Sequence, residues 1–233
     1  MRVLVLDTST PAVSAGVVEW GAAASWVLAE RVVVDGRRHG ELLARGVRSV
    51  LQEAGPVEAV VVGVGPGPFT GLRVGIVTAA ALADALGVPA LGVCSLDGMA
   101  APDTGVVTDA RRREVYWARY DASGARVAGP QVDAPVVAAA ALGGARRVVG
   151  DGALLHADVF ASLPVEGEPR YPVVRKLAEV AVRRHLAGEP ALPLTPLYLR
   201  RPDAQEPQLP KRVTPAPQPV TPAPQPVTPA PQP

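Results

Sequence analysis

The chain is poor in residues that cross-link or react. Its 233 residues include one cysteine, Cys94, so a disulfide within the chain is impossible. Cys94 ends the apolar, strand-like run Leu91, Gly92, Val93, a setting for a buried inert thiol rather than a nucleophile. Lysine is nearly absent, two against 21 arginines, and basic and acidic residues almost cancel to a net charge of +1. The arginine excess reads as compositional drift, and near-neutrality gives no global electrostatic case for nucleic acid or a membrane. No apolar span of about 18 residues is free of charge or turn signals, which argues against a membrane helix. The apolar run after Met1 and Arg2 stops at Asp7, short of a signal h-region. The expectation is a cytoplasmic protein.

Residues 213–233 are three copies of Val-Thr-Pro-Ala-Pro-Gln-Pro, with no charge and no aromatic. Proline locks φ and removes donors, so 204–233 is expected to be a disordered, polyproline-II-like tail outside the fold. A proline-motif ligand and an inert spacer both fit it. About 200 residues remain, enough to bury roughly 70% of their unfolded surface.

That body opens with apolar residues 3–6 before the turn Asp7-Thr8-Ser9-Thr10-Pro11, followed by strand patterns at 13–17 and 25–34. Residues 39–54 place Leu42, Leu43, Val47, Val50 and Leu51 on one face and Glu41, Arg45, Arg48 and Gln52 on the other, an amphipathic helix ended by Gly55 and Pro56. Residues 59–64 then run as a strand into Gly65-Pro66-Gly67-Pro68-Phe69-Thr70-Gly71-Leu72-Arg73-Val74-Gly75, which launches a helix over 70–86, and a strand comes next at 90–94. Such a loop points backbone N–H groups at whatever lies above the sheet. It lacks the P-loop lysine and the dinucleotide spacing. The order β-β-β-α-β-α-β gives a mixed sheet with helices on its faces.

A second half echoes the first. Residues 105–109 form a strand ending at Asp109, with a hairpin over 114–121, a strand near 148–149 and a helix over 173–186. The expected lobes are 1–103 and 104–203, with Asp7 and Asp109 in equivalent places.

Several side chains carry two readings. Asp7, Thr8 and Ser9 suit an Asx or Ser/Thr turn, and also a turn that wraps phosphates. Asp109 with Arg111, in the run Arg111-Arg112-Arg113, could face them across a cleft and neutralise phosphate, or the arginines could be a solvated turn. His39 opens the first long helix, but a metal site would want a second His one turn later, where Leu43 stands. No metal site is expected. Glu41 suits the positive end of that helix, and His156 and His185 read as surface residues. The helix over 70–86 is apolar nearly all round; between Leu72 and Leu86 only Arg73, Thr78 and Asp84 are polar. Gly75, Ala79 and Ala83 recur every four residues as a smooth ridge. Either the chain buries this helix itself or a second chain covers it.

Together, the Asp7 turn, the 65–75 loop, Asp109-Ala110-Arg111-Arg112 with Glu114-Val115-Tyr116, and Pro196-Leu197-Tyr198-Leu199-Arg200 resemble the TsaB family, formerly YeaZ, in order from residue 1 to about 203. The resemblance implies an α/β, actin-like/Hsp70-like ATPase fold of two ribonuclease-H-like lobes with mixed sheets. It implies a non-catalytic subunit of the machinery that makes N6-threonylcarbamoyladenosine beside the tRNA anticodon. The catalytic paralogue TsaD carries a His-x-x-x-His metal site, and the P-loop ATPase TsaE joins the complex, so ATP and metal belong to the partners and this subunit takes no cofactor. It implies pairing with TsaD through helices 39–54 and 70–86, here expected at Leu42, Leu43, Val47, Val50, Leu72, Gly75, Ile76, Ala79 and Ala83. The same surface would give a homodimer when the chain is alone, and tRNA contact would arise only within the complex. The alternative is an ATP-dependent phosphotransferase or ATPase using Asp7 and Asp109.

Overall fold

Residues 3–6 are wholly buried because their strand lies at the centre of a sheet covered on both faces. The computed structural model describes residues 1–200; the expected proline-repeat tail and the end of the expected second lobe, 201–203, lie outside them. The first sheet takes β1 (Arg2–Asp7), β2 (Ala12–Trp20), β3 (Ser25–Val34), β4 (Ala59–Gly63) and β5 (Ala90–Val93) in the order β3-β2-β1-β4-β5. β1 runs antiparallel to β2 and parallel to β4. Between them lie α1 (His39–Ala54) and α2 (Phe69–Leu86), and a 3-10 turn, Ser95–Met99, leads out of β5.

The second sheet repeats the pattern with β6 (Thr104–Asp109), β7 (Val115–Tyr120), β8 (Arg126–Asp133) and β9 (Arg147–Val149) in the order β8-β7-β6-β9. β6 is antiparallel to β7 and parallel to β9. Asp7 and Asp109 therefore end the matching strand of each sheet. Short helices α3 (Pro135–Ala141) and α4 (Asp151–Leu155) and the long α5 (Val174–Leu186) complete the described residues. The elements β8, α3 and α4 carry too few residues in periodic register to stand out from the sequence.

Period-two alternation sorts each strand between two cores. Leu4, Leu6, Val60, Val62 and Val64 point toward α1 and α2. Val3, Val5, Ala59, Val61, Leu91 and Val93 point the other way and meet Val174, Leu177, Ala178, Ala181 and Val182 of α5. This corrects the expected lobe boundary. Helix 173–186 comes after the second sheet in sequence but covers the first, because that sheet has a second apolar face to bury. Val106, Tyr116, Ala118 and Tyr120 of the second sheet pack on Cys94, Leu96 and Met99, and its opposite face meets Ala138, Leu142, Ala153 and Phe160.

α2 is by length and composition the one helix among the described residues apolar enough to cross a membrane, at mean hydropathy 1.4. It sets Leu72, Ile76, Ala79 and Ala83 into the first core, while Val77 and Leu86 stay exposed. Beyond α5, residues 190–200 cross the β5 edge, where Leu192 N–H donates to Gly92 O at 3.1 Å and Leu197 N–H to Val64 O at 2.9 Å.

If α5 belongs to the first sheet, Leu177→Ala leaves a cavity there and costs about 2–5 kcal/mol in denaturant unfolding. Native-state hydrogen exchange is then expected to speed up at β1 and β4 amides before those of β6 and β7.

Candidate functional site

The turn after β1 and the loop before α2 fit into one another. Thr8 Oγ1 donates to Gly71 O at 2.8 Å. A methyl group at Gly67 would collide with Ser9 O, one at Gly71 would lie 2.6 Å from Thr8 O, and one at Gly75 would strike Thr8 Oγ1. The three glycines form a track that lets the 7–10 turn lie against the helix start. His39, at the start of α1, closes the side, its Nε2 3.1 Å from Thr10 O.

Asp7 sits behind this contact. Its Oδ1 accepts from Ser9 N–H at 3.0 Å and from Ser9 Oγ at 2.7 Å. Its Oδ2 has no hydrogen-bond partner among the described residues. Burial pushes the carboxyl pKa above its ordinary value, outweighing the opposing pull of the Ser95 and Ser9 groups and of His39. Asp7, Thr8 and Ser9 are all buried. Of the two readings, the buried turn packed against the start of α2 fits the Asx or Ser/Thr turn. Leu43, at the position a second metal-binding His would take, points into the core.

Asp109 has a different setting. Its Oδ1 accepts from Arg111 N–H at 2.7 Å, its Oδ2 lies 3.4 Å from Arg111 Nη1, and its own N–H donates to Asp151 Oδ1 at 3.1 Å. Arg111 thus serves its own turn. Arg111, Arg112 and Arg113 all take positive φ, 66°, 52° and 63°, a left-handed run that costs about 1–2 kcal/mol per residue for side chains with a Cβ. No hydrogen bond or ion pair among the described residues joins Asp109 to the Asp7 turn.

A third cluster was not legible in the sequence. Tyr120 Oη donates to Asp97 Oδ1 at 2.7 Å, and Arg126 Nη1 lies 3.6 Å from the same oxygen. Burial raises the Asp97 pKa against the pull of Arg126 and Tyr120. Burial beside Asp97 pushes the Cys94 thiol up to about 12, which agrees with the expected inert cysteine. The group ties the 3-10 turn to the β7–β8 hairpin.

The expected partner surface is largely turned inward. Leu43, Val47, Val50, Leu72, Gly75, Ile76, Ala79 and Ala83 are buried within the chain, and only Leu42 is half-buried. The ridge Gly75, Ala79, Ala83 faces the chain's own turn and sheet, because small residues permit close approach to these as readily as to another chain. The outer face of α2 carries Phe69, Arg73, Val77, Ala81 and Asp84, with Val77 65% exposed.

A family model described as TsaD, tRNA N6-adenosine threonylcarbamoyltransferase, matches residues 29–148. An uncharacterised Mycobacterium tuberculosis protein is 49% identical over 210 residues, 87% of this chain and 93% of that one. The tRNA threonylcarbamoyladenosine biosynthesis protein TsaB of Escherichia coli is 35% identical over 133 residues, 52% of this chain and 55% of that protein. YeaZ from Pseudomonas aeruginosa superposes with a TM-score of 0.70 at 27% identity, over 85% of this chain and 100% of that one. The chain belongs to the TsaB (YeaZ) family. Its two mixed sheets are the paired ribonuclease-H-like lobes of the actin-like/Hsp70-like ATPase fold, and the internal repeat of β1–β4 in β6–β9 accords with that membership.

Two measurements bear on this TsaB-family turn. Gly67→Ala is expected to cost about 1–3 kcal/mol in chemical denaturation, since the opposing atom is backbone and cannot step aside. Asp7→Asn tests the buried carboxyl. A pKa raised in the folded state means stability is lost as pH rises through it. The variant should therefore match wild type near pH 4 and exceed it at neutral pH; a gap that widens toward acid would contradict the assignment.

Proposed function

We propose that this chain is a non-catalytic scaffold subunit in the formation of N6-threonylcarbamoyladenosine on tRNA, pairing with the catalytic paralogue TsaD through the outer faces of α1 and α2. The observation that carries this reading is the exposed stripe on α2. A helix that had only to cover its own sheet would present a polar outer face. This one offers Val77 and Ala81 at its centre, between Arg73 and Asp84, with half-buried Val74 and Thr78 beside them and Leu86 exposed at its C-terminal end. α1 lies beside it on the same face of the sheet and adds half-buried Leu42. Two such layers meeting face to face would form a four-helix contact with the aliphatic side chains of α2 at its centre and the exposed Glu41, Arg45 and Arg48 of α1 toward its edge. ATP, metal and the P-loop ATPase TsaE would enter with the other subunits, and isolated chains would pair with themselves through the same surface in the cytoplasm.

The phosphotransferase reading draws less support. It needs Asp7 to meet a nucleotide, and Asp7 is buried behind Thr8 and Gly71. Calorimetry of the isolated chain with Mg-ATP is expected to show no micromolar binding; binding that Asp7→Ala removes would restore that reading.

The pairing test uses Val77→Glu, whose side chain points outward. Co-purification with the TsaD of the same organism should fall at least tenfold while the melting curve stays unchanged, because an unpaired charge in a dry seam is costly. Pairing at wild-type strength would sink the interface. Ala79→Glu is unsuited to this purpose: Ala79 is 0% exposed, and a charge there would unfold the helix layer.

A further inference from the structure

The β6–β7 turn, the segment 196–200 and the start of α2 are joined side by side into a strip by side-chain contacts. Arg200 joins the first two. Its Nε lies 3.2 Å from Glu114 Oε2, and its Nη1 donates to Ala110 O at 3.4 Å. Tyr198, two residues earlier, joins the second to the third. Its ring stacks on Phe69 with centroids 4.9 Å apart and planes 21° apart. Its hydroxyl accepts from Arg73 Nε at 3.0 Å, while the Arg73 guanidinium lies 3.7 Å from the Phe69 centroid. Phe69 is 53% and Tyr198 43% exposed. In the turn itself Arg111, Arg112 and Arg113 are all exposed. The strip thus carries Arg73, Arg111, Arg112, Arg113 and Arg200 against two carboxylates, Asp109 and Glu114, in a chain whose net charge is only +1.

A turn that needs left-handed backbone is cheapest with glycine or asparagine. Here it holds three arginines in succession, braced by Glu114 N–H donating to Arg111 O at 3.0 Å and Ala110 N–H to Glu114 O at 3.0 Å. Retained strain of this kind points to use of the side chains it displays.

We propose that this strip binds RNA, the arginines taking backbone phosphates and the Phe69–Tyr198 pair taking an unstacked base. The inference rests on the reading of the chain as a subunit of a tRNA-modifying complex and adds that this subunit touches the RNA itself. Guanidinium groups match phosphate oxygens in a bidentate fork. Half-exposed rings braced by an arginine are platforms for unpaired bases, the part of RNA that proteins read by stacking. A lipid surface would want apolar side chains free to insert; these two rings are locked against each other.

The test titrates a fluorescein-labelled tRNA anticodon stem–loop by polarisation, with the full chain alone and with its co-purified TsaD, at several salt concentrations. Arg111→Glu with Arg113→Glu should weaken binding at least tenfold and lower the slope of log affinity against log salt by about one to two. Tyr198→Leu should weaken binding several-fold and leave the slope unchanged. The arginines and Tyr198 are exposed, so melting curves and TsaD pairing should match wild type. Wild-type RNA affinity in the double variant overturns the proposal. So does insensitivity to Tyr198→Leu together with equal affinity for a blunt duplex, which would mark a plain polyanion contact. Loss of binding to phosphatidylglycerol vesicles with RNA binding intact would also overturn it, in favour of a membrane. Val77→Glu addresses pairing alone, so failure of the scaffold reading shows in co-purification and failure of this one shows in the RNA titration.

Discussion

The contact between Thr8–Ser9 and the start of α2 sets the rest of the first lobe. Three positions one helical turn apart or nearly so, 67, 71 and 75, must lack a Cβ for the turn to lie where it does. Once it lies there, Thr8 Oγ1 bonds Gly71 O and the helix cannot roll. Rolling is what would otherwise decide which of its many apolar residues go inside. The track therefore chooses Leu72, Ile76, Ala79 and Ala83 for the core and leaves Val77 and Ala81 outside. It also seals Asp7 from solvent. One close approach thus explains both the buried Asp7 turn and the outward stripe.

The sequence made element positions legible and helix orientation obscure, for one reason. Period and breakers fix where α1 and α2 start and stop, and both lie within a residue of expectation. α1, with charged residues on one side, showed which face was apolar, though Leu43, Val47 and Val50 of that face, expected to meet a partner, meet the chain's own sheet. α2 could not, because apolarity all round carries no phase information. Gly75, Ala79 and Ala83 looked like a seam, and they are one, but the surface they meet belongs to the same chain. Nothing in composition distinguishes an internal seam from an external one. The collision of a Cβ at Gly75 with Thr8 depends on a contact between residues far apart in sequence. The same holds for α5: its amphipathic pattern showed a helix with one buried face, while the sheet that face meets is set by topology.

The internal repeat sharpens this contrast. Asp7 and Asp109 close equivalent strands, and the pairing registers confirm the equivalence, Asp7 against Ser14 and Asp109 against Val115. Yet one carboxylate is packed under a helix and the other organises an exposed arginine turn. The difference lies in the element that succeeds the parallel strand of each sheet. After β4 comes the glycine track and the 18-residue α2; after β9 comes the five-residue α4, from whose Asp151 a carboxylate oxygen accepts the Asp109 N–H. α4 also comes close, a methyl at Gly152 lying 2.7 Å from the Thr108 carbonyl carbon, but Arg111, Arg112 and Arg113 beyond Asp109 stay exposed.

That asymmetry explains why strain is tolerated where it is. A left-handed run of three residues costs a few kcal/mol, an appreciable share of the stability of a domain of this size. It persists only where neighbours fix the backbone on all sides. Here the β6–β7 ladder holds both ends of the turn, Asp109 holds its first corner through Arg111 N–H, and Arg200 reaches across from the C-terminal segment to the Ala110 carbonyl and the Glu114 carboxylate. The segment bearing Arg200 is itself anchored by Leu197 N–H on Val64 O, at the end of β4 beside the glycine track. The buried turn of the first lobe and the exposed turn of the second are thus linked through one extended stretch of chain, whose anchor on Val64 O sets where Arg200 meets the Ala110 carbonyl and the Glu114 carboxylate.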